Sequence, residues 1–341
     1  MKRIKIGNRL IGLGCPCFVV AEAGINHNGD FEKAKQLIDA AAECGADAVK
    51  FQTHLAEKEM VKSEITADYV GEPIFDLIKR VELNKADHKN LINHAKERGI
   101  LFLSTPFSRE AVDLLEELGV LAFKVGSGEM TNLPLVEYIA DKGKPMIVST
   151  GMSTIAEIKE TVNLLKRKKA EFALLHCTST YPTAYEDVNL GFMKKLEKAF
   201  SVPVGLSDHS VGIYTALGAV ALGACIIEKH FTISRNWPGP DQKASIEPQE
   251  LAELVRGVRA IEKALGSSKK VLEAEKRIQA FARESVVALA DIKKGSTIER
   301  SMIWTKRPGT GIPAKEFNKV LGKKTRIDIK KGELIKWDDL E

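Results

Sequence analysis

The chain has 341 residues, is 44% hydrophobic and 28% charged, and carries a formal net charge of +5. That length exceeds what one compact core usually holds, so a large domain with a smaller companion is expected, and the apolar content excludes a disordered or low-complexity protein. The five cysteines (Cys15, Cys17, Cys44, Cys177 and Cys225) form no even disulfide framework, which points to a reducing, cytoplasmic setting.

The basic opening MKRIKIGNRLIG is interrupted by charge and glycine before any hydrophobic region forms. The longest apolar run, 214–227, is too short and too glycine-rich to span a bilayer. Neither a secretory leader nor a membrane partner is expected.

Residues 2–13 alternate basic and apolar positions around Gly7-Asn8, a hairpin signal. Residues 18–22 predict a buried strand ending on a carboxylate, Glu22. Asp30 can cap a helix over 31–44, Gly45 ends it, and 46–53 is the next strand. The unit then recurs. A helix over 85–98 stops at Gly99 and leads to a strand at 100–103. A helix over 110–118 stops at Gly119 and leads to a strand at 121–125. Further strands follow at 145–148, 172–175, 204–206 and 224–227, with an Ala- and Gly-rich helix over 212–222 between the last two. Eight strand–helix units predict an α/β protein of the TIM (β/α)8 barrel type. A doubly wound sheet is the alternative, but its phosphate fingerprint is wanting, because GSG at 126–128 is followed three residues later by Thr131. Residues 59–78 predict an active-site insertion.

After GSSKK at 266–270 the pattern changes. The expected division is a barrel domain with its N-terminal hairpin over 1–265, a linker over 266–283 containing a helix at 273–281, and a small β-rich domain over 284–341. That last domain carries an internal echo: DIKKG at 291–295 returns at 328–332, and the two copies are followed by Ile298 and Ile335. It holds 13 Lys and Arg against 9 Asp and Glu, most of the chain's positive excess, which suits an anionic ligand, with a solvated basic surface as the plainer reading. Aromatic residues are too sparse among those charges for a nucleic-acid surface.

In a parallel barrel the strand ends meet on one face, so residues distant in sequence converge there. Strands seven and eight stop at His209 and His230, each beside a carboxylate. Two imidazoles suit a borderline divalent ion such as manganese or zinc, with water or substrate completing the shell. Histidines that merely cap strands are the competing reading. Lys50 and Lys124 each end an apolar strand, and lysine is seldom buried without a partner. Beside Ser127 and Ser149 they make a phosphate or carboxylate cradle, with salt bridges to Glu22 or Glu129 as the plainer reading. Burial would raise the pKa of Glu22 and suit it to acid–base work.

The motifs AEAGINHNGD, KFQTH, STPF, KVGSGE, STGMS, HCTSTYPT, GLSDHS, EKHFT and GPDQKAS occur in this order. On them the chain resembles the sialic acid synthase family over nearly its whole length. The C-terminal segment, with KRPGTGIPA at 306–314, is similar to that family's antifreeze-like (SAF, β-clip) domain. The resemblance implies condensation of phosphoenolpyruvate with N-acetylmannosamine, or a related acetamido sugar, and water. The products would be N-acetylneuraminate, or a related nonulosonic acid, and phosphate. A legionaminic or pseudaminic acid synthase acting on a diacetamido-trideoxy hexose is the alternative, and a metal-dependent aldolase on the same barrel is a more distant one.

The same resemblance implies roles for individual residues. His209 and His230 would bind a divalent metal, manganese first, with magnesium or cobalt as alternatives. Lys124, Ser127 and Ser149 would hold phosphoenolpyruvate, with Lys50 and Thr105 beside it. Glu22 would be the acid–base residue near the sugar aldehyde, and Tyr181 and Asp241 would contact the sugar end. Asn26, Gln52, Glu129 and Ser179 would be further substrate contacts. Arg307 would reach over from the other subunit of a homodimer, whose SAF domain lies over the partner's active site, toward the N-acyl group. Two positions depart from the pattern: Ser179, where some members carry Asn, and Gln242, where His is expected in many members.

Overall fold

The structure, a computed structural model, describes residues 3–63, 66 and 71–341. The chain forms two compact units, residues 1–265 and 266–341. The larger begins with an antiparallel hairpin, β1 (Ile4–Ile6) and β2 (Arg9–Ile11). Eight parallel strands follow: β3 (Phe18–Gly24), β4 (Ala48–Thr53), β5 (Leu101–Pro106), β6 (Phe123–Val125), β7 (Met146–Ser149), β8 (Phe172–Cys177), β9 (Val204–Asp208) and β10 (Ile226–His230). They pair in the order β5-β4-β3-β10-β9-β8-β7-β6, so the first and last strands of the series meet at β3–β10. Among the described residues no ladder joins β5 to β6. The result is a nearly closed, TIM-like barrel.

The strands form where the sequence supplies apolar runs that can be buried on both faces, as parallel strands under helices require. Every residue of β3 is buried. The helices start and stop on local chemistry. Asp30 accepts a hydrogen bond from Lys33 N at 3.1 Å and caps the helix Phe31–Glu43. Gly99 and Gly119 follow the helices Lys85–Glu97 and Arg109–Glu117 with φ of 71° and 78°, a region that disfavours side chains. The second of these helices starts one residue earlier than expected, because Ser108 Oγ accepts from Ala111 N at 3.2 Å. The helix between β9 and β10 is shorter than expected, Tyr214–Ala221, because Gly212 takes a φ of 70°.

The barrel interior has a floor and a mouth. Ile4, Ile6 and Ile11 of the hairpin pack in one cluster with Phe18, Val20, Leu103, Ile147, Leu175 and Ile226, so the hairpin is a plug. Gly205 has no side chain because one would meet Leu175 Cδ2 and Ile226 Cβ, each at 2.8 Å. The plug is tied down beneath. Asp47 accepts from Arg9 of the hairpin, from Val19 N at 2.8 Å, and from Arg259 of the last barrel helix, Pro248–Ala264, at 2.8 Å.

The expected insertion at 59–78 forms, in its described part, the end of the helix Ala56–Glu59 and most of the helix Ile74–Val81. Ile25, Ala56, Leu77, Ile78 and Val81 make a separate small core there. Residues 64, 65 and 67–70 of that stretch lie outside the described residues.

In the second unit, the helix Glu273–Ala282, expected as a linker, groups with the β-rich segment, and Gly309 N donates to Ala280 O at 2.7 Å. Strands β11 (Ser285–Ala288) and β12 (Ile303–Lys306) pair antiparallel. The sequence echo is a structural reciprocity. Ile292 and Ile329 exchange two backbone hydrogen bonds of 2.8 Å. Asp328 Oδ1 accepts from Lys294 N at 2.8 Å while Asp291 Oδ1 accepts from Lys331 N at 2.9 Å, so each copy caps the other's turn. Among the described residues, no helix is long and apolar enough to cross a membrane.

Candidate active site

The strand C-termini surround a cavity of about 350 Å³. The alternation that points Val20, Leu103, Ile147 and Ile226 into the floor points Glu22, Thr105, Ser149 and Glu228, two residues on, into the mouth. Lys50 and Lys124 arrive by the same rule and are each 3% exposed.

One side of the mouth gathers two buried lysines and two buried glutamates. Lys50 Nζ lies 2.8 Å from Glu22 Oε2 and donates to Thr105 Oγ1 at 3.0 Å. Lys124 Nζ donates to Ser149 Oγ at 2.8 Å. Glu228 sits between the two ammonium groups, 3.8 Å from Lys50 and 3.7 Å from Lys124, and accepts from Ser207 Oγ at 3.0 Å. Burial pushes the Glu22 carboxyl up to about 7 against the pull of Lys50. Burial also lowers Lys124, despite Glu228. On Lys50 burial acts downward too, but Glu22 and Glu228 outweigh it and hold that ammonium above its ordinary value. Ser127 Oγ accepts from Gly151 N at 3.0 Å. A side chain at Gly151 would collide with the hydroxyls of Ser127 and Ser179, so glycine keeps that corner open. Glu129 lines the cavity, and burial raises its pKa.

The other side carries the two histidines. Their ring centroids are 5.3 Å apart, and the Tyr181 ring lies 4.1 Å from His209 and 5.6 Å from His230. His209 Nδ1 lies 2.8 Å from Thr178 O; donation to that carbonyl leaves Nε2 with its lone pair. His230 Nδ1 is buried without a hydrogen-bond partner, 3.6 Å from Asp241 Oδ2. Burial, then the neighbouring His209, holds His230 well below its ordinary pKa, which keeps it neutral. Burial raises Asp241 to about 6. Among the described residues no group of three or more His, Cys, Asp or Glu forms a closed metal site. The donor set is thus an open pair. Two imidazoles, that of His230 neutral and carrying an orphaned buried nitrogen, fit a divalent ion whose remaining positions are left to water or substrate.

Gln52 links Glu22 to His54. Its Nε2 donates to Glu22 Oε1 at 3.3 Å, and its Oε1 lies 2.8 Å from His54 Nε2. His54 is held in turn by Glu59 at 2.8 Å and stacks on Phe107 at 4.2 Å. Asn26 is the exception among the barrel candidates. Gly24, with a φ of 53°, turns the chain, and the Asn26 amide donates to Phe231 O at 2.8 Å and Ser245 Oγ at 2.9 Å. It braces a loop and does not line the cavity. Gln242 is buried and donates to Pro238 O at 3.2 Å. Arg307 is exposed and belongs to the second unit.

Sequence reasoning missed Glu228, Ser207, His54 and Cys177, all of which line the cavity. Glu228 was findable, since it lies two positions before His230 in EKH and must share its face.

Fold and mouth together define a (β/α)8-barrel enzyme that handles a small polyanion beside a histidine pair. A family model described as the NeuB family matches residues 37–270, and one described as the SAF domain matches residues 283–341. The chain is 46% identical to the N,N'-diacetyllegionaminic acid synthase of Campylobacter jejuni, over 93% of this chain and 98% of that one. It is 38% identical to the N-acetylneuraminate-9-phosphate synthase of Homo sapiens, over 96% and 93%. The crystal structure of the N-acetylneuraminic acid synthetase of Leptospira borgpetersenii, in complex with citrate, superposes with a TM-score of 0.74 at 39% identity, covering 81% of this chain and 95% of that one. The chain belongs to the NeuB family, the phosphoenolpyruvate-dependent nonulosonic acid synthases, and carries a C-terminal SAF domain.

Proposed function

We propose that the protein condenses phosphoenolpyruvate with an N-acetylated amino sugar and water, releasing a nonulosonic acid and phosphate. The observation that carries this reading is the two-sided mouth. Two buried lysines with hydroxyls stand on one side and a histidine pair on the other, within one cavity of about 350 Å³. Lys124, Ser127, Ser149 and Ser179 hold the phosphate, with Lys50 and Thr105 beside them. Tyr181 and Asp241 face the sugar. A divalent ion held by His209 and His230, manganese in this reading, supplies Lewis-acid polarisation of the aldehyde oxygen when bound.

The enol carbon of phosphoenolpyruvate forms the new bond to the aldehyde carbon. Glu22, with a pKa of about 7, is poised to give a proton to the new hydroxyl. Positive charge develops at the enol-ether carbon, and the carboxylates of Glu22 and Glu228 lie on the lysine side to balance it. Water adds at that carbon and gives one proton to the Glu22 carboxylate, which regains its acid form; the carbon–oxygen bond to phosphate then breaks as the new hydroxyl becomes the ketone and its proton passes to the departing phosphate. The lysines then stabilise the leaving phosphate.

N-acetylmannosamine is the simplest sugar for this scheme. A specific observation favours a deoxy, diacetamido hexose instead. Ile25, Ile74, Leu77, Ile78 and Phe107 line the cavity, an apolar wall suited to methyl groups. Within this unit, the described lining cations, Lys50 and Lys124, already serve phosphoenolpyruvate, which leaves none for a phosphorylated sugar. We further propose a cytoplasmic homodimer in which Arg307 of one subunit reaches the sugar in the other.

The test is phosphate release from phosphoenolpyruvate with N-acetylmannosamine, its 6-phosphate and a 2,4-diacetamido-2,4,6-trideoxy hexose, with and without chelator. The trideoxy sugar should give the highest kcat/KM. Preference for the 6-phosphate would overturn the sugar assignment, and no sugar-dependent phosphate release would overturn the reaction.

A further inference from the structure

The residues just before the two histidines form a second constellation, on the opposite face of the same strands. Asp208 and Lys229 have fully buried side chains, 0% exposed, and Lys229 Nζ lies 2.9 Å from Asp208 Oδ2. They are register partners across β9 and β10. Thr215 Oγ1, from the helix Tyr214–Ala221, donates to Asp208 Oδ2 at 2.7 Å. Ser210 donates to Asp208 Oδ1 from its backbone N at 2.9 Å and its hydroxyl at 2.8 Å, and Ser210 O accepts from Lys229 Nζ. Ser207, His209, Glu228 and His230 line the cavity, whereas Asp208 and Lys229 do not.

We propose that the Asp208–Lys229 ion pair is a positioning device: it fixes the spacing of His209 and His230 and thereby the affinity of the pair for a divalent ion. The proposal rests on reading the two histidines as metal ligands. Strand alternation supplies the physical link. A slip of one residue between β9 and β10 would offset the two imidazoles and leave both buried charges unpaired. A buried ion pair is a weak source of net stability, since apolar residues of similar shape commonly replace it without loss, but leaving either charge buried and unpaired is strongly destabilising, so the pair penalises any register that separates its members. Its place one residue before each histidine, with Ser210 and Thr215 locking the carboxylate from the following loop, puts that specificity where the histidines need it.

The experiment compares wild type, His209→Ala, Asp208→Asn/Lys229→Met and Lys229→Arg as full-length protein without substrate. Binding of Mn²⁺ alone is read by calorimetry and by the spin resonance of free Mn²⁺. Phosphoenolpyruvate binding and melting temperature are measured alongside. The double variant should remain folded and bind phosphoenolpyruvate within about threefold of wild type. It should bind Mn²⁺ about 10- to 100-fold more weakly, as disrupted ligand positioning does elsewhere. Lys229→Arg, which keeps the pair, should retain most of the affinity. Should the double variant not fold, Thr215→Val, which removes one bond to the carboxylate, should show a smaller fall in the same direction.

Unchanged Mn²⁺ affinity in a folded double variant, or in Thr215→Val if the double variant fails, overturns the positioning role while leaving the ligands standing. Parallel loss of Mn²⁺ and phosphoenolpyruvate binding overturns it also, in favour of general loosening. Mn²⁺ binding that is absent from wild type, or indifferent to His209→Ala, removes the ligand reading itself and the proposal with it.

Discussion

The floor and the mouth of the barrel are made by the same strands and the same face, two residues apart. Below, Val20, Ala48, Ala122 and Ile226 close a dry, plugged core; above, Glu22, Lys50, Lys124 and Glu228 bring four ionisable groups to within a few percent of full burial. Each floor residue contributes by leaving water, about 1.5–3 kcal/mol for a large aliphatic side chain. Each mouth residue costs desolvation, recovered only through partners such as the 2.8 Å contact of Lys50 with Glu22. The strands are held from below and can therefore carry, above, charges that would not hold themselves together.

Breaking the mouth should leave the floor intact. His209→Ala or His230→Ala should drop sugar-dependent phosphate release below detection with little change in melting temperature; full activity in excess chelator, with bound metal shown absent, would contradict the metal role. Lys124→Ala should lower kcat/KM for phosphoenolpyruvate by about 10²–10³-fold, the usual loss for one charge-stabilising donor.

Breaking the floor should do the reverse. Leu175→Ala opens a cavity beneath the site and should cost about 2–5 kcal/mol in denaturant unfolding. The kcat/KM of the folded fraction should be unchanged, and a specific loss of turnover would show that floor and mouth are not separable.

Arg307→Ala should raise the sugar KM by about tenfold or more, the scale of one charged hydrogen bond, and leave that of phosphoenolpyruvate alone. Mixing it with Lys124→Ala should restore part of the activity if the site is shared between subunits, and no rescue after verified subunit exchange would count against sharing.

Floor and mouth should also differ in their response to pH. The folded pKa of Glu22, about 7, lies above its ordinary 4.5, so folding favours the protonated form. Its contribution to stability is fully present below about 4.5 and is lost as pH rises through about 7. Glu22→Gln should flatten that part of the melting profile, and an identical profile would rule out the raised pKa.

Much of this was legible because strands and site obey simple periodicities. Helices stopped by Gly99 and Gly119, each followed by a short apolar run, revealed the repeat, and Lys50, Lys124, His209 and His230 stood out as polar residues at apolar strand ends. Glu228 and His54 did not, because their importance depends on which residues lie across the ring, and register between strands is not written in any one of them. Asn26 shows the same limit: a polar residue in a strand-end loop reads as a ligand contact, whereas only the folded chain shows its amide nitrogen donating to Phe231 and Ser245. The DIKKG echo was visible as repetition, but only the folded chain reveals that each copy caps the other.

The knot under the plug has a consequence for synthesis. Asp47 emerges from the ribosome 212 residues before Arg259, the partner that ties it to the last barrel helix. Until β10 (Ile226–His230) is made, β3 lacks the neighbour that completes the series, and the tie from Asp47 to the last helix comes later still. The barrel can therefore be completed only late in synthesis. A chain stopped before Pro248 lacks both the helix and its arginine and should be a client of chaperones rather than a smaller working enzyme.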